Sequence, residues 1–297
     1  MMMVESVDLD GICMSDESRY IGTKEAAEML GVGESTVKRW VDQGVLPAER
    51  TAGRHRKIRL ADLHRAAREH CLPVAHAPDV AALAERLHAA VIAGDHEAAH
   101  ACLRDAHQGG LRVADVGDRL VAPVMARVGH GWATKALDVY EEHRATQACL
   151  FALLALRLHL PRAPGSPLAL GGGVEGDHYL LANLLIEMTL IEEGWAVENV
   201  GPNTPWQSLC RAARERRPRL IWVSCSFLPD PEPFLAGYQT LHAEASRLGA
   251  SVAVGGRALD ESTRSRMAYS HFGDRLVNLA SYARDLRRPP DAPAPTR

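Results

Sequence analysis

Four short apolar runs set the strongest constraint on how this chain folds. "PLAL" (167–170), "WAVENV" (195–200), "RLIWVS" (219–224) and "ASVAVGG" (250–256) are β-like segments separated by helical stretches. That rhythm predicts a parallel α/β sheet beyond Pro161. In an open sheet of this kind ligands bind outside the carboxyl ends of the strands. Three loops therefore carry candidate ligand contacts. The first holds His178 between a strand and a helix, with Glu175 and Asp177 close by in the sequence. The second follows the strand ending at Ser224 and Ser226, and the third begins at Gly255-Gly256, where missing side chains would let a ligand approach the backbone. A neutral imidazole at His178 suits a metal, although a histidine in such a loop, taken alone, is more often a surface residue.

The sequence before Pro161 has a different periodicity. From Asp79 to Leu160 it is rich in Ala, Leu and His, and helical spacing is interrupted at Gly94, Gly109-Gly110 and Gly129-His130-Gly131. Those breaks predict four helices, the last running from near Ala133 to His159. Within it, eleven positions separate Trp132 from His143, which leaves the two roughly 20° apart and about 16 Å along one continuous helix. An indole and an imidazole would then share a face across the width of a large flat ligand. A buried Trp and a hydrogen-bonded His in a bundle explain the same spacing.

Residues 20–71 carry the most specific local pattern. Thr23 is the expected cap of a first helix with Ala26, Ala27, Met29 and Leu30 on its apolar face. Gly31-Val32-Gly33 makes a tight turn, and a second helix from Glu34 to Gln43 buries Val37, Trp40 and Val41 and exposes Ser35, Thr36, Lys38 and Arg39. A short helix, a glycine turn and a polar-faced helix make a helix-turn-helix, whose second helix can enter a major groove. "RTAGRHRKIR" then supplies Arg54, His55, Arg56 and Lys57 without an acid, and Ala52-Gly53 offers a hairpin tip. A basic β-wing of this kind suits phosphate contacts.

Composition limits the function classes. The net charge of −3 excludes a globally basic nucleic-acid coat protein. Six dispersed cysteines without a C-x-x-C pair argue for reduced thiols and a cytoplasmic setting. No charge-free apolar run approaches the length of a membrane span, and the acidic start (1–19) lacks a signal-peptide pattern. "CLPVAHAP" reads as a linker, and the Pro-rich tail (289–297) as disordered. No carboxylate pair or nucleophile–base spacing suggests an enzyme.

The residues at 20–71 resemble the winged-helix DNA-binding domains of the excisionase/MerR type, in "TKEAAEMLGVGESTVKRWVDQGVLP" and "TAGRHRKI". Residues 79–160 and 166–288 together resemble a cobalamin-binding module, a four-helix bundle followed by a Rossmann-like domain. His178 matches that family's metal-binding histidine, Ser226-Phe227-Leu228 its Ser-x-Leu region and Gly255-Gly256 its glycine turn. The W-x9-EH spacing of Trp132, Glu142 and His143 is similar to the signature of the light-responsive repressors of the CarH/LitR class. The sequence departs from the family pattern at Gly176, where an acid stands, at Leu181, where a glycine stands, and at Ala133, a histidine in some members.

The resemblance implies a multidomain α and α/β protein: an N-terminal winged helix-turn-helix, a bundle and a Rossmann-like parallel α/β domain. It further implies a transcriptional repressor that binds operator DNA, holds adenosylcobalamin or methylcobalamin and forms a homo-oligomer, a tetramer in the family. Trp132, Glu142 and His143 would line the upper axial side and His178 would ligate cobalt from below. Light-driven cleavage of the cobalt–carbon bond would release DNA. A regulator that senses another ligand through a degenerate cobalamin fold, and a corrinoid methyl-carrier, are the alternatives.

Overall fold

The structure, a computed structural model, describes residues 19–50, 55–69, 79–160 and 165–288. The acidic start, the wing tip with Arg54, the expected linker and the Pro-rich tail lie outside the described residues. The chain divides into two units, Met1–Asp79 with Ala106–Gly110, and Val80–Asp105 with Leu111–Arg297.

In the first unit β1 (Tyr20–Gly22), α1 (Thr23–Leu30), α2 (Glu34–Asp42), β2 (Glu49–Arg50), β3 (Arg56–Arg59) and α3 (Leu60–Glu69) follow in order. The strands form an antiparallel sheet in the order β1-β3-β2. Ile21, Leu30, Val37, Leu46, Ile58 and Leu63 are its buried centre, with Trp40 and Val41 partly covered against it. Gly31, at φ 63°, closes α1 by donating its N–H to the carbonyls of Ala27 and Glu28, a left-handed stop open to glycine at little cost. The expected cap at Thr23 is displaced by one residue. Gly22 occupies the cap position, and the Thr23 hydroxyl instead donates to the Glu34 carboxylate at 2.6 Å, tying the two helices of the motif together.

The second unit begins with α4 (Val80–Ala93) and α5 (His96–Gln108). A third helix starts as α6 (Val113–Val116), passes through a π-helical turn at Gly117–Val121 and continues as α7 (Ala122–Ala133). The last of the group is α8 (Val139–Arg157). Helices break at Gly94 and at Gly109-Gly110, as their glycines predict. Gly129-His130-Gly131 is helical, and the expected continuous helix from Ala133 to His159 does not form. The chain leaves α7 beyond Ala133, turns through Lys135 at φ 61° and donates the N–H groups of Ala136 and Leu137 back to the Gly131 carbonyl. Gly131 is small because Leu137 folds onto it, 2.8 Å from where a Cβ would stand. Asp138 then starts α8 with a reciprocal capping box: its carboxylate accepts from the backbone, and its own N–H donates to Glu141 at 2.8 Å.

Beyond residue 165 come β4 (Leu168–Gly173), α9 (Leu180–Glu192), β5 (Ala196–Asn199), α10 (Trp206–Arg216), β6 (Leu220–Ser224), α11 (Pro231–Leu248), β7 (Ser251–Gly255), α12 (Glu261–Arg264), β8 (His271–Gly273) and α13 (Leu276–Arg287). The strands are parallel in the order β5-β4-β6-β7-β8. Period-2 alternation sends Ile221 and Val223 into one apolar layer, with Trp206, Phe234 and Tyr238, and Leu220 and Trp222 into the other, with Leu190, Trp195 and Leu279. Four strands match the apolar runs. The fifth, "HFG", is too short and too mixed to register as one.

The helical group is bonded to the sheet layer by charge. Glu187 on α9 accepts from Arg157 of α8 at 2.5 Å. Arg112 pairs with Glu192 at 3.3 Å and Glu193 at 2.6 Å. Asp118, on the π turn, accepts the N–H groups of Leu276 and Val277 at 2.9 and 3.1 Å. No described helix is long and apolar enough to cross a membrane.

Candidate functional sites

The sheet reverses its winding between β4 and β6, so a crevice at their carboxyl ends is the expected ligand position. The loop after β4 places His178 there, exposed, and no hydrogen bond reaches its imidazole among the described residues. Neither neighbouring acid orients that ring. Glu175 is exposed. Asp177 is 1% exposed, and its carboxylate accepts the Tyr179 N–H at 3.0 Å and, in a short bond, the Ser226 N–H. Asp177 therefore clamps the His178 loop to the end of β6 rather than tuning the imidazole. Gly176, at φ 87°, donates its N–H to the Asn203 side chain at 2.8 Å. An Asp in that position would meet a left-handed backbone, which favours glycine. Leu181 lies in the first turn of α9, partly covered. Tyr179, Leu180 and Phe227 expose apolar surface on these same two segments.

At the carboxyl ends of β6, β7 and β8 a cavity of about 270 Å³ opens between the sheet, α9, α13 and the π-helical turn at Gly117 and Asp118. Ser224, Ser226, Gly255 and Gly256 all line it, joined by Trp222, Arg257 and His271. Ser224 is buried at the end of β6, while Ser226 is only partly covered. Among the described residues buried Trp222 Nε1 and His271 Nε2 have no hydrogen-bond partner, and His271 stacks on Tyr282 with ring centres 4.5 Å apart. Burial holds the His271 imidazole below its usual range, so near neutral pH it is uncharged. The glycines differ in role from the expectation of open access. A Cβ on Gly255 would stand 2.6 Å from the Gly273 carbonyl oxygen, and one on Gly256, at φ 114°, 2.1 Å from that of Cys225. Close packing of neighbouring backbone requires them. The Cys225 thiol is pushed up to about 12 by burial and by Asp177.

Trp132, Glu142 and His143 do not share one helix. Trp132 ends α7, 52% exposed, and the other two open α8 across the turn. Glu142 accepts the Thr146 hydroxyl at 2.9 Å, and its second oxygen lies 3.7 Å from His143 Nε2. The exposed indole is not a buried core residue. Exposed Val139 and Tyr140 stand between Trp132 and the Glu-His pair in sequence.

In the first unit α2 presents Ser35 and Arg39 exposed, with Thr36 and Lys38 partly covered. Lys38 pairs with Glu34 at 3.0 Å. Arg56, expected on phosphate, is instead held bidentately by Asp42 at 2.8 and 2.9 Å, with its side chain only 22% exposed. Its strand register opposite Arg50 turns it toward the end of α2. Lys57 and the preceding His55 are exposed.

Sequence reasoning missed Trp222, His271, Arg257 and Asp118. Arg257 had a usable signal, since it follows Gly255-Gly256 directly. The others depend on which elements meet in space.

Residues 20–71 match the helix-turn-helix domain family, and residues 83–157 match the B12 binding domain family. The HTH-type transcriptional repressor CarA of Myxococcus xanthus is 26% identical over 290 residues, covering 89% of this chain and 97% of that protein. The monomethylamine corrinoid protein of Methanosarcina barkeri superposes with a TM-score of 0.59 at 15% identity, over 69% of this chain and 99% of that one, a likeness of fold alone. A helix-turn-helix domain in front of a B12-binding domain, in a chain that aligns over 89% of its length with a transcriptional repressor, supports the reading of this chain as a CarH-like, B12-dependent transcriptional regulator.

Proposed function

We propose that this regulator is a light-responsive repressor that holds adenosylcobalamin, binds double-stranded operator DNA as a homo-oligomer in the dark and releases it on illumination. The observation that carries the reading is the cavity at the carboxyl ends of β6, β7 and β8. Its lining residues combine apolar side chains with Ser224 and the unpartnered Trp222 and His271 nitrogens, a donor set that fits a flat heteroaromatic base. The exposed Tyr179, Leu180 and Phe227 fit the rim of a macrocycle. A single imidazole, His178, can hold only a metal that brings its other donors with it.

When bound, the cofactor would supply a light-labile cobalt–carbon bond. The chain's own residues would do the rest. His178 would offer a lone pair to the cofactor's metal, on a loop that Asp177 holds in place. Trp132, with Glu142 and His143 across the turn, would contact the light-labile group that the cofactor carries. Loss of that contact changes the preferred packing only through differential interaction with the two arrangements. α2 would enter the major groove through Ser35, Thr36 and Arg39, and Lys57 would contact phosphate. No turnover belongs to this reading. A DNA-binding regulator answering to another ligand is the second reading, favoured by the unoriented His178 imidazole. The DNA-binding domain disfavours a methyl carrier.

The test loads the full chain with adenosylcobalamin in darkness and records visible spectra, oligomeric state and operator binding before and after green light. We expect a spectral change, a change of elution volume and loss of DNA binding. His178→Ala should leave the cofactor with its own base coordinated or weakly held. A chain that binds operator but takes up no cobalamin supports the second reading, and an unchanged spectrum in His178→Ala removes His178 as ligand.

A further inference from the structure

Backbone contacts, rather than contacts to its ring, set the place of His178. Asp177 fixes one side of the loop to the end of β6. The other side is gripped by Asn203, on the loop after β5. The Asn203 side-chain oxygen accepts the Gly176 N–H at 2.8 Å, and its own backbone N–H donates to the Asp177 carbonyl at 2.7 Å. The two residues held in this way immediately precede His178. Asn203 adopts φ 50° in doing so, a left-handed backbone that Asn visits more readily than most residues. Gly176, at φ 87°, supplies the matching turn.

The loop that carries Asn203 is anchored in turn. Gly201 donates its N–H to the Asn199 side chain at 2.9 Å and accepts the Gly173 N–H at 2.9 Å. The Asn199 amide donates to Glu187 at 2.9 Å, and the other Glu187 oxygen accepts from Arg157 of α8 at 2.5 Å. Glu187 is 7% exposed, so water is a poor substitute for either partner. The same α8 opens with Glu142 and His143. Hydrogen bonds thus link α8, through the end of β5, to the loop that holds the residues before His178. We propose that Asn203 is the positioning residue for His178 toward its metal, and that Glu187 ties this grip to α8. The inference rests on the cobalamin reading above.

The experiment binds the cobalt(II) form of cobalamin in darkness to the full chain, labelled at histidine with the heavy nitrogen isotope. Electron paramagnetic resonance then tells a protein imidazole on the metal from the cofactor's own base by the nuclear spin of the coordinating nitrogen. Hydrogen exchange at Gly176 in the cofactor-free protein reads the grip itself. Asn203→Gly tolerates the left-handed backbone and deletes the side-chain acceptor. It should shift the ratio of imidazole-held to own-base cofactor about fivefold toward the own base, and speed Gly176 exchange by a similar factor. Asn203→Asp, which keeps an acceptor, should restore both. Glu187→Gln should shift the same ratio, and adding it to Asn203→Gly should shift it by less than the two single effects combined. Should Glu187→Gln fail to fold, Asn199→Ala breaks the same link one step further on. Faster Gly176 exchange in Asn203→Gly with the ratio at its wild-type value would overturn the positioning role, and additive shifts would overturn the tie to α8. Both of those results leave the cobalamin reading intact. A wild type that takes up no cobalamin would instead strike at that reading, and this inference with it.

Discussion

Asp118 offers the sharpest test of how the helical group is joined to the sheet layer. α13 begins after Arg275, whose side chain cannot accept a hydrogen bond from the helix start. Its first amides are served from another part of the chain, by Asp118 on the π-helical turn, at 2.9 and 3.1 Å. A carboxylate at a helix start both satisfies unpaired N–H groups and meets the positive end of the helix dipole. The Asp118 side chain is 9% exposed, so water cannot readily replace it. An N-cap deletion costs about 0.5–2 kcal/mol, and a hydrogen bond to a charged group is worth about 1.5–3 kcal/mol. Because these overlap, Asp118→Ala should destabilise the second unit by about 2–4 kcal/mol. Asp118→Asn, which keeps one acceptor, should cost about half of that. Urea unfolding of the cofactor-free protein measures the total. Hydrogen exchange at Leu276 and Val277 locates it, with protection falling there before it falls at β6. If Asp118→Ala unfolds within about 0.5 kcal/mol of wild type and those amides exchange at the wild-type rate, the cap is ornamental and the two layers are held by packing.

Two further outcomes follow from charge. Burial holds His100 below its usual range, reinforced by Arg104 and His159, and burial alone does the same to His271. The unfolded chain therefore takes up protons near pH 6.5 that the folded chain resists, so stability is full above that pH and falls as pH drops below it. The urea midpoint should be lower at pH 5.5 than at 7.5, and less so in His100→Phe; a midpoint independent of pH over that range would contradict the assignment. On the DNA-binding unit, Lys57→Ala should reduce the salt slope of DNA binding by about one, whereas Arg56→Ala should lower stability and leave the slope alone, because Asp42 already holds that guanidinium. Equal slope changes in the two variants would place Arg56 on phosphate after all.

What the sequence determined by itself was local. Four apolar runs announced four of the five strands, and Gly31, at positive φ, marked the turn of the helix-turn-helix. Gly94 and Gly109-Gly110 ended helices where periodicity lapsed. Each of these signals depends on backbone conformation or on burial of one face, which neighbouring residues specify. The misreadings have the same origin. Gly131 looked like a helix break because a glycine seating Leu137 by close packing is indistinguishable in sequence from one ending a helix. The true stop lay at Lys135 and Asp138, a positive φ and a reciprocal cap. Tertiary structure decided the rest. It turned Asp177 inward to the end of β6, withdrew Arg56 to Asp42, lent Asp118 to a helix 158 positions away and set Trp222, His271 and Arg257 around one cavity. Such groupings depend on which strand edge meets which helix, and a side chain's chemistry is set by the partners that arrive there from distant parts of the chain.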